Sequence, residues 1–202
     1  MIIYSKKFQK AFYLPVLRVK AQRLGIEILS HIKSAKKILD LGCGDCVITE
    51  YLQRHLSPHQ LISPVDVVNT SLVKIIPKIY NGKKLPFTTN YFDSAYTSFT
   101  LHHCLDDVSV LKEIVRTTKG KITIIEEIYN NTFEKYLVYA NDWIANRLES
   151  PDVTIPFHFH TDREWKQIFK EVGCKLLLEK KVSQLPLWFL TQEKMYVIKK
   201  SA

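Results

Sequence analysis

Between Asp40 and Cys46 the chain reads DLGCGDC, and the stretch offers two incompatible chemistries. Cys43 and Cys46 have the C-x-x-C spacing at which thiolates grip zinc or exchange a disulfide. Asp40, Gly42 and Gly44 instead give a carboxylate and a turn without Cβ atoms, through which backbone can approach a ligand closely. Asp66 closes a second apolar stretch, where a carboxylate can accept both hydroxyls of a ribose. His102 and His103 are adjacent, Glu126 and Glu127 end another apolar run, and His158 alternates with His160 in FHFH. The imidazoles are candidate general bases and the two glutamates candidate substrate carboxylates. A zinc or redox site would need a second thiol pair or a thioredoxin-like setting, whereas Cys104 and Cys174 are isolated. The glycine reading is therefore preferred, and no metal site is expected.

Such residues need a scaffold that brings them to one edge. KKILDL (36–41) reads as a buried strand and VITEYLQRHL (47–56) as the helix that follows it. LISPVDVV (61–68) is a second strand interrupted at Pro64, and KIYNGKKLPF (78–87) a third, turning at Asn81-Gly82. Between these two, NTSLVKIIP leaves room for a helical turn or two. YFDSAYTSFTLHH (91–103) and KITIIEEIY (121–129) are a fourth and a fifth strand, separated by a helix over 105–118. A helix over 132–149 has an aromatic-rich face, and 161–173 forms another that opens on a Thr161/Glu164 capping box and closes on Gly173. CKLLLEKKVSQ and EKMYVIKKS flank LPLWFL as two final strands. Upstream, Leu14, Leu17, Ala21, Leu24, Ile28 and Ile32 recur at helical spacing, which predicts an amphipathic helix over 14–32 with Pro15 in its first turn.

Strands alternating with helices predict an α/β fold: a doubly wound, seven-stranded, mostly parallel sheet covered by helices on both faces, ending in an antiparallel hairpin. With 202 residues, no repeats and no Gly/Ser linker, one domain is expected. Within it, residues 1–35 form a basic helical segment, 36–130 a ligand-binding half and 131–202 substrate-side helices and the hairpin. No apolar run approaches a membrane span of ~20 residues. The start lacks the order of a signal peptide, and a cytoplasmic location is expected. The formal charge of +9 is uneven: residues 1–37 hold nine Lys/Arg against one Glu, while 38–174 hold fourteen against seventeen acids. Trp143 and Trp165 are read as core anchors rather than stacking platforms.

In open α/β sheets ligands bind beyond the carboxyl ends of the strands. The dinucleotide pattern G-x-G-x-x-G fails because Val47 stands at its third glycine, and no G-x-x-x-x-G-K-[ST] run exists. The frame suits a nucleoside without a pyrophosphate. ILDLGCGDC then resembles the first motif of class I S-adenosylmethionine-dependent methyltransferases, and Asp66 in PVDVV their acidic second motif. KKLPFTTNYFDSAYTSFTLHH is similar to a run in the small type 11 methyltransferase domains. The resemblance spans roughly 35–130. More loosely, NDWIANR and the later HFHTDREW resemble the C-terminal half of some bacterial members.

The resemblance implies a Rossmann-like methyltransferase fold, S-adenosylmethionine as cofactor and S-adenosylhomocysteine as product. Asp40, Gly42, Cys43 and Gly44 would line the methionine portion, and Asp66 and Val67 the ribose and its surroundings. Asn81 would meet the adenine amino group, and Ser98 and Phe99 would offer backbone to the methionine amine. Cys46 replaces a glycine often found there, and Asn81 stands where Asp is common. The implied reaction is an in-line displacement on the sulfonium methyl, driven largely by positioning and exclusion of water.

The absence of an Asn/Asp-Pro-Pro-Tyr run, of a Pro-Cys dipeptide and of room for a target-recognition domain favours a small-molecule acceptor. A nucleic-acid methyltransferase contacting phosphates through Lys6, Lys7, Lys10, Arg18, Lys20 and Arg23 is the alternative, as is a non-catalytic partner subunit on the same fold.

Overall fold

A computed structural model describes residues 6–149, 155–182 and 191–201. Strands β1 (Lys37–Leu41), β2 (Leu61–Asp66), β3 (Lys78–Ile79), β4 (Ser94–Ser98), β5 (Ile122–Ile128), β6 (Cys174–Lys181) and β7 (Gln192–Lys200) form one sheet in the order β3-β2-β1-β4-β5-β7-β6. β1 pairs in parallel with β2 and β4, as does β4 with β5, whereas β7 runs antiparallel between β5 and β6. The helices are α1 (Lys6–Phe12), α2 (Leu14–Ile32), α3 (Val47–His55), α4 (Asp107–Thr117), α5 (Thr132–Glu149) and α6 (Asp162–Glu171). The order reverses between β1 and β4, which is where an open α/β sheet leaves a crevice for a ligand.

The period-two alternation of each strand splits the core into two layers. Leu39, Leu41, Ala95, Ile122, Ile124, Tyr196 and Ile198 pack towards α4 and α6, with Val110, Leu111, Ile114, Trp165 and Phe169. Ile38, Tyr96, Ile125 and Met195 pack on the other face with Leu24, Ile28 and Ile32 of α2 and Leu52 of α3. At roughly 1.5–3 kcal/mol for each large apolar side chain fully buried, these layers are what hold the strand ends in place.

Several expectations are corrected. β2 runs through Pro64 without interruption, in register with Asp40. Alternation along β2 turns the proline's missing N–H towards β3, and β3 pairs only with Val65 and Asp66. The third strand shrinks to Lys78–Ile79, and the segment from Ser71 to Pro77 forms bends rather than a helical turn. The fourth stops at Ser98, because Phe99 takes φ 52°, and a short 3-10 turn, Leu101–His103, follows. A separate α1 precedes the expected N-terminal helix. Trp165 is buried as expected, but Trp143 is 52% exposed, since α5 lays only part of its surface on the sheet. LPLWFL and the end of the preceding strand fall outside the described residues.

Candidate active site

The loop after β1 is shaped by its glycines. Gly42 has φ 70°, and a Cβ there would lie 2.0 Å from Cγ2 of Thr100; Gly44 has φ 48°, and a Cβ there would meet nothing within 4 Å. Gly42 thus lets the loop pass against the end of β4, while Gly44 opens onto free space. The Gly42 and Cys43 amides both donate to the Val65 carbonyl at the end of β2. Thr100 Oγ1 lies 3.2 Å from the Gly42 carbonyl and 3.0 Å from that of Ser98. This hydroxyl joins the two sides of the crevice, although only its place just past a strand end could have pointed to it in the sequence.

Asp66 accepts from the Gly44 amide at 2.8 Å and from the Val67 amide at 2.7 Å. Burial raises its pKa, and these amides oppose the rise. Asp40 is buried, with Thr49 Oγ1 2.5 Å from its carboxylate. Burial pushes its pKa up to about 7, against the hydroxyls of Thr49 and Tyr96. Asp40 therefore braces the strand end from beneath. Asn81 Oδ1 accepts from the Lys83 and Lys84 amides, both at 3.0 Å, and caps its own turn. Gly82 brings that turn beside Val67. The Phe99 amide is taken by the Ile125 carbonyl and is not available to a ligand.

Cys46 is fully buried and caps α3 with φ 60°. A left-handed residue is needed there, which is why glycine suits the position and Cys strains it. Its Sγ lies 3.6 Å from that of Cys43. Their mutual contact and then burial hold the Cys43 thiol far above its ordinary range, leaving it protonated and a poor zinc ligand or nucleophile.

The other half of the edge is built from distant segments. Glu126, completely buried, accepts from the Thr100 and Leu101 amides with Oε1 and from His102 Nδ1 with Oε2, at 2.5 Å for the last. It therefore holds the 3-10 turn and is not a substrate carboxylate, which corrects that expectation. Desolvation alone would lower the pKa of His102, but the carboxylates of Glu126 and Asp142 override it and lift the value to about 10. Asp142 reaches the turn from α5 and was not anticipated as a site residue. Phe159 stacks on His102 with centroids 4.2 Å apart, and Tyr139 and Phe157 continue this aromatic wall. The His158 amide donates to the His102 carbonyl at 3.3 Å, and His160 Nε2 lies 2.5 Å from Asp107. Glu127 remains half-buried with Thr191 Oγ1 on its carboxylate; burial raises its pKa to about 7.

Part of the basic N-terminal strip is used in packing, while Lys10 and Arg18 are exposed. Lys6 Nζ donates to the Ser71 carbonyl, Lys20 sits 4.2 Å over the Phe99 ring, and Arg23 pairs with Glu193. Lys20 also bears electrostatically on Asp45, so this side chain of α2 lies beside the loop after β1. The side chain of Lys7 is outside what is described. A shallow cavity of about 450 Å³ lined by Lys36, Lys37, Asp93 and Lys119 lies at the opposite, amino ends of the strands.

Residues 39–124 match the family model described as a methyltransferase domain. The strand order and the loop after β1 are consistent with such a domain of the class I, S-adenosylmethionine-dependent type. Among curated relatives, the chain is similar to a demethylmenaquinone methyltransferase of Corynebacterium kroppenstedtii, at 26% identity over 66% of this chain and 62% of that one. Another of that description, from Mycolicibacterium paratuberculosis, is 26% identical over 61% and 59% of the two chains. The chain thus spans about three fifths of the length of these relatives. In fold it is similar to a geranyl diphosphate methyltransferase in complex with S-adenosylmethionine, with TM-score 0.69, 11% identity and coverage of 91% and 85%. A methyltransferase from Aquifex aeolicus gives 0.62, 15% identity and coverage of 90% and 97%. No helix among the described residues is long and apolar enough to cross a membrane.

Proposed function

We propose that this protein transfers the methyl group of S-adenosylmethionine to a small, ring-bearing acceptor, of the demethylmenaquinone kind named for the corynebacterial relatives. The observation that carries the reading is the cradle: an open face at Gly44, backed by an Asp66 carboxylate already aligned by the Gly44 and Val67 amides. Gly42, Cys43 and Gly44 would line the methionine portion, with Asp40 bracing them, and Asp66 with Val67 would hold the ribose. Asn81 would border the adenine, and the Ser98 and Phe99 carbonyls would face the methionine amine. When bound, the cofactor supplies an electrophilic methyl on a sulfonium. The chain's own part is to orient and to dry the crevice, with Lys20 of α2 and the wall of Tyr139, Phe157 and Phe159 beside it, the wall a surface suited to a flat ring. His102 and His103 stand at the acceptor side; the His158 amide secures the turn that carries them, and His160 is held by Asp107 of α4.

Calorimetry with S-adenosylmethionine tests the cofactor half. Micromolar binding is expected, and Asp66→Ala should weaken it ~10- to 100-fold, as loss of hydrogen bonds to a charged group implies. Mass spectrometry of a demethylmenaquinol analogue incubated with enzyme and cofactor should then show a gain of one methyl group. Absence of heat at millimolar cofactor sinks the reading, and a methylated RNA in place of the quinol replaces the acceptor.

A further inference from the structure

We propose that His102, His103 and Asp142 bind one divalent transition-metal ion of the zinc class at the acceptor end of the sheet. His102 Nε2 lies 3.4 Å and His103 Nε2 3.5 Å from Asp142 Oδ1. The three ligand atoms fall within 4.8 Å of one another. A charged N–H···O bond would draw such groups to roughly 2.7–2.9 Å. Ligands held at roughly 2.0–2.1 Å around a tetrahedral ion stand roughly 3.3–3.4 Å apart, close to the two N···O spacings seen here.

Two further observations point the same way. On the far side of the ring, His102 Nδ1 is 2.5 Å from Glu126, and that carboxylate is itself fixed by the Thr100 and Leu101 amides. A ligating histidine is ordinarily held in this way, with its other nitrogen turned to the metal. Asp142 is 6% exposed, and its Oδ2 has no hydrogen-bond partner, while Oδ1 accepts from Asn146 at 2.6 Å. A buried carboxylate oxygen without a donor costs roughly 1–3 kcal/mol, and a cation held by both oxygens of Asp142 would remove that cost.

Two imidazoles and one carboxylate select Zn²⁺ and its neighbours over Mg²⁺ or Ca²⁺, which prefer an all-oxygen shell. The His103 side chain is 20% exposed, so the ion would be reachable from solvent. Its remaining position would take an oxygen of the acceptor and lower the pKa of that hydroxyl. This role rests on the methyltransferase reading; the binding of the ion does not.

The test uses full-length protein stripped with a chelator and titrated with Co²⁺, then Zn²⁺, by calorimetry and visible absorption. One equivalent of Co²⁺ with a tetrahedral d–d spectrum, displaced by Zn²⁺, is expected. His103→Ala should weaken uptake at least ~100-fold and Glu126→Gln ~10- to 100-fold, with far-UV circular dichroism unchanged for His103→Ala. Failure of folded wild type to take up a stoichiometric ion, or uptake indifferent to His103→Ala, overturns the proposal and leaves an ion-pair network of His102 with Glu126 and Asp142. S-adenosylmethionine binding measured on the same samples separates that failure from failure of the methyltransferase reading.

Discussion

The two ends of the crevice are made in different ways. The proposed cofactor end is built mainly from residues 40–66, where one loop and the tips of β1 and β2 supply the glycines and both carboxylates. The acceptor end joins the 3-10 turn at 101–103, Glu126 from β5, Asp142 from α5 and Phe159 from an irregular segment. A local loop depends on the backbone angles its residues permit. An assembled cluster depends on the packing that holds distant segments together, and on charges that need one another because water is excluded. Damage to the first should appear as lost ligand affinity, and damage to the second as lost stability.

His102→Ala should give the largest effect. Removing one member of a buried charged cluster costs roughly 3–5 kcal/mol. Thermal denaturation should register this, while cofactor affinity of the folded fraction stays within a few-fold of wild type. An equal loss of affinity would show that the two ends are not separable.

Gly42→Ala comes next, combining a left-handed penalty of roughly 1–2 kcal/mol with overpacking of similar size against Thr100. Gly44→Ala incurs only the backbone strain, because its Cβ enters open space. Calorimetry should therefore find Gly44→Ala losing more cofactor affinity than its change in melting temperature implies, and Gly42→Ala losing both.

The pH response also divides. Asp40 has its folded pKa raised to about 7 from 3.8, so stability falls as pH climbs from about 4 to about 7. Wild type should lose ground relative to Asp40→Asn between pH 5 and pH 8 in thermal melts, by ~1 kcal/mol or more. Asp162 behaves oppositely. Burial would raise its pKa, but Lys166, Lys194 and Tyr196 outweigh that and lower it to about 2. Its stabilisation is present above 3.8 and lost as pH falls towards about 2, so Asp162→Asn should be the less stable protein at pH 7 and converge with wild type near pH 2. With a partly exposed partner set the difference should be about 1 kcal/mol.

The smallest effect is expected for Cys46→Gly. Relief of the left-handed conformation offsets loss of a small buried side chain, and stability should change by less than about 1 kcal/mol. A cofactor affinity within about threefold of wild type would show that Cys46 does not cripple the loop.

Much of the cofactor end was legible because its signals are local. Positive φ at Gly42 and Gly44 follows from residue type, and the place of Asp66 from an apolar run that ends in a carboxylate. The resemblance marked Cys46 as a substitute for glycine, and its φ of 60° agrees with that. Local logic failed at Pro64, where the strand continues because its neighbour β3 is too short to need the missing N–H, and at Phe99, where a left-handed residue ends β4 early. Nor could it tell that Glu126 faces inward to a turn while Glu127 does not.

By itself the sequence determined the alternation of strands and helices, the two-faced sheet and the glycine loop after its first strand, since these rest on hydrophobic period and on glycine stereochemistry. Only the tertiary structure decided that His102, Glu126 and Asp142 form one cluster, that Lys20 closes over Phe99, and that His160 is held by Asp107. Those pairings span parallel strands and crossing helices, and their residues meet only after two apolar layers have packed against opposite faces of the sheet.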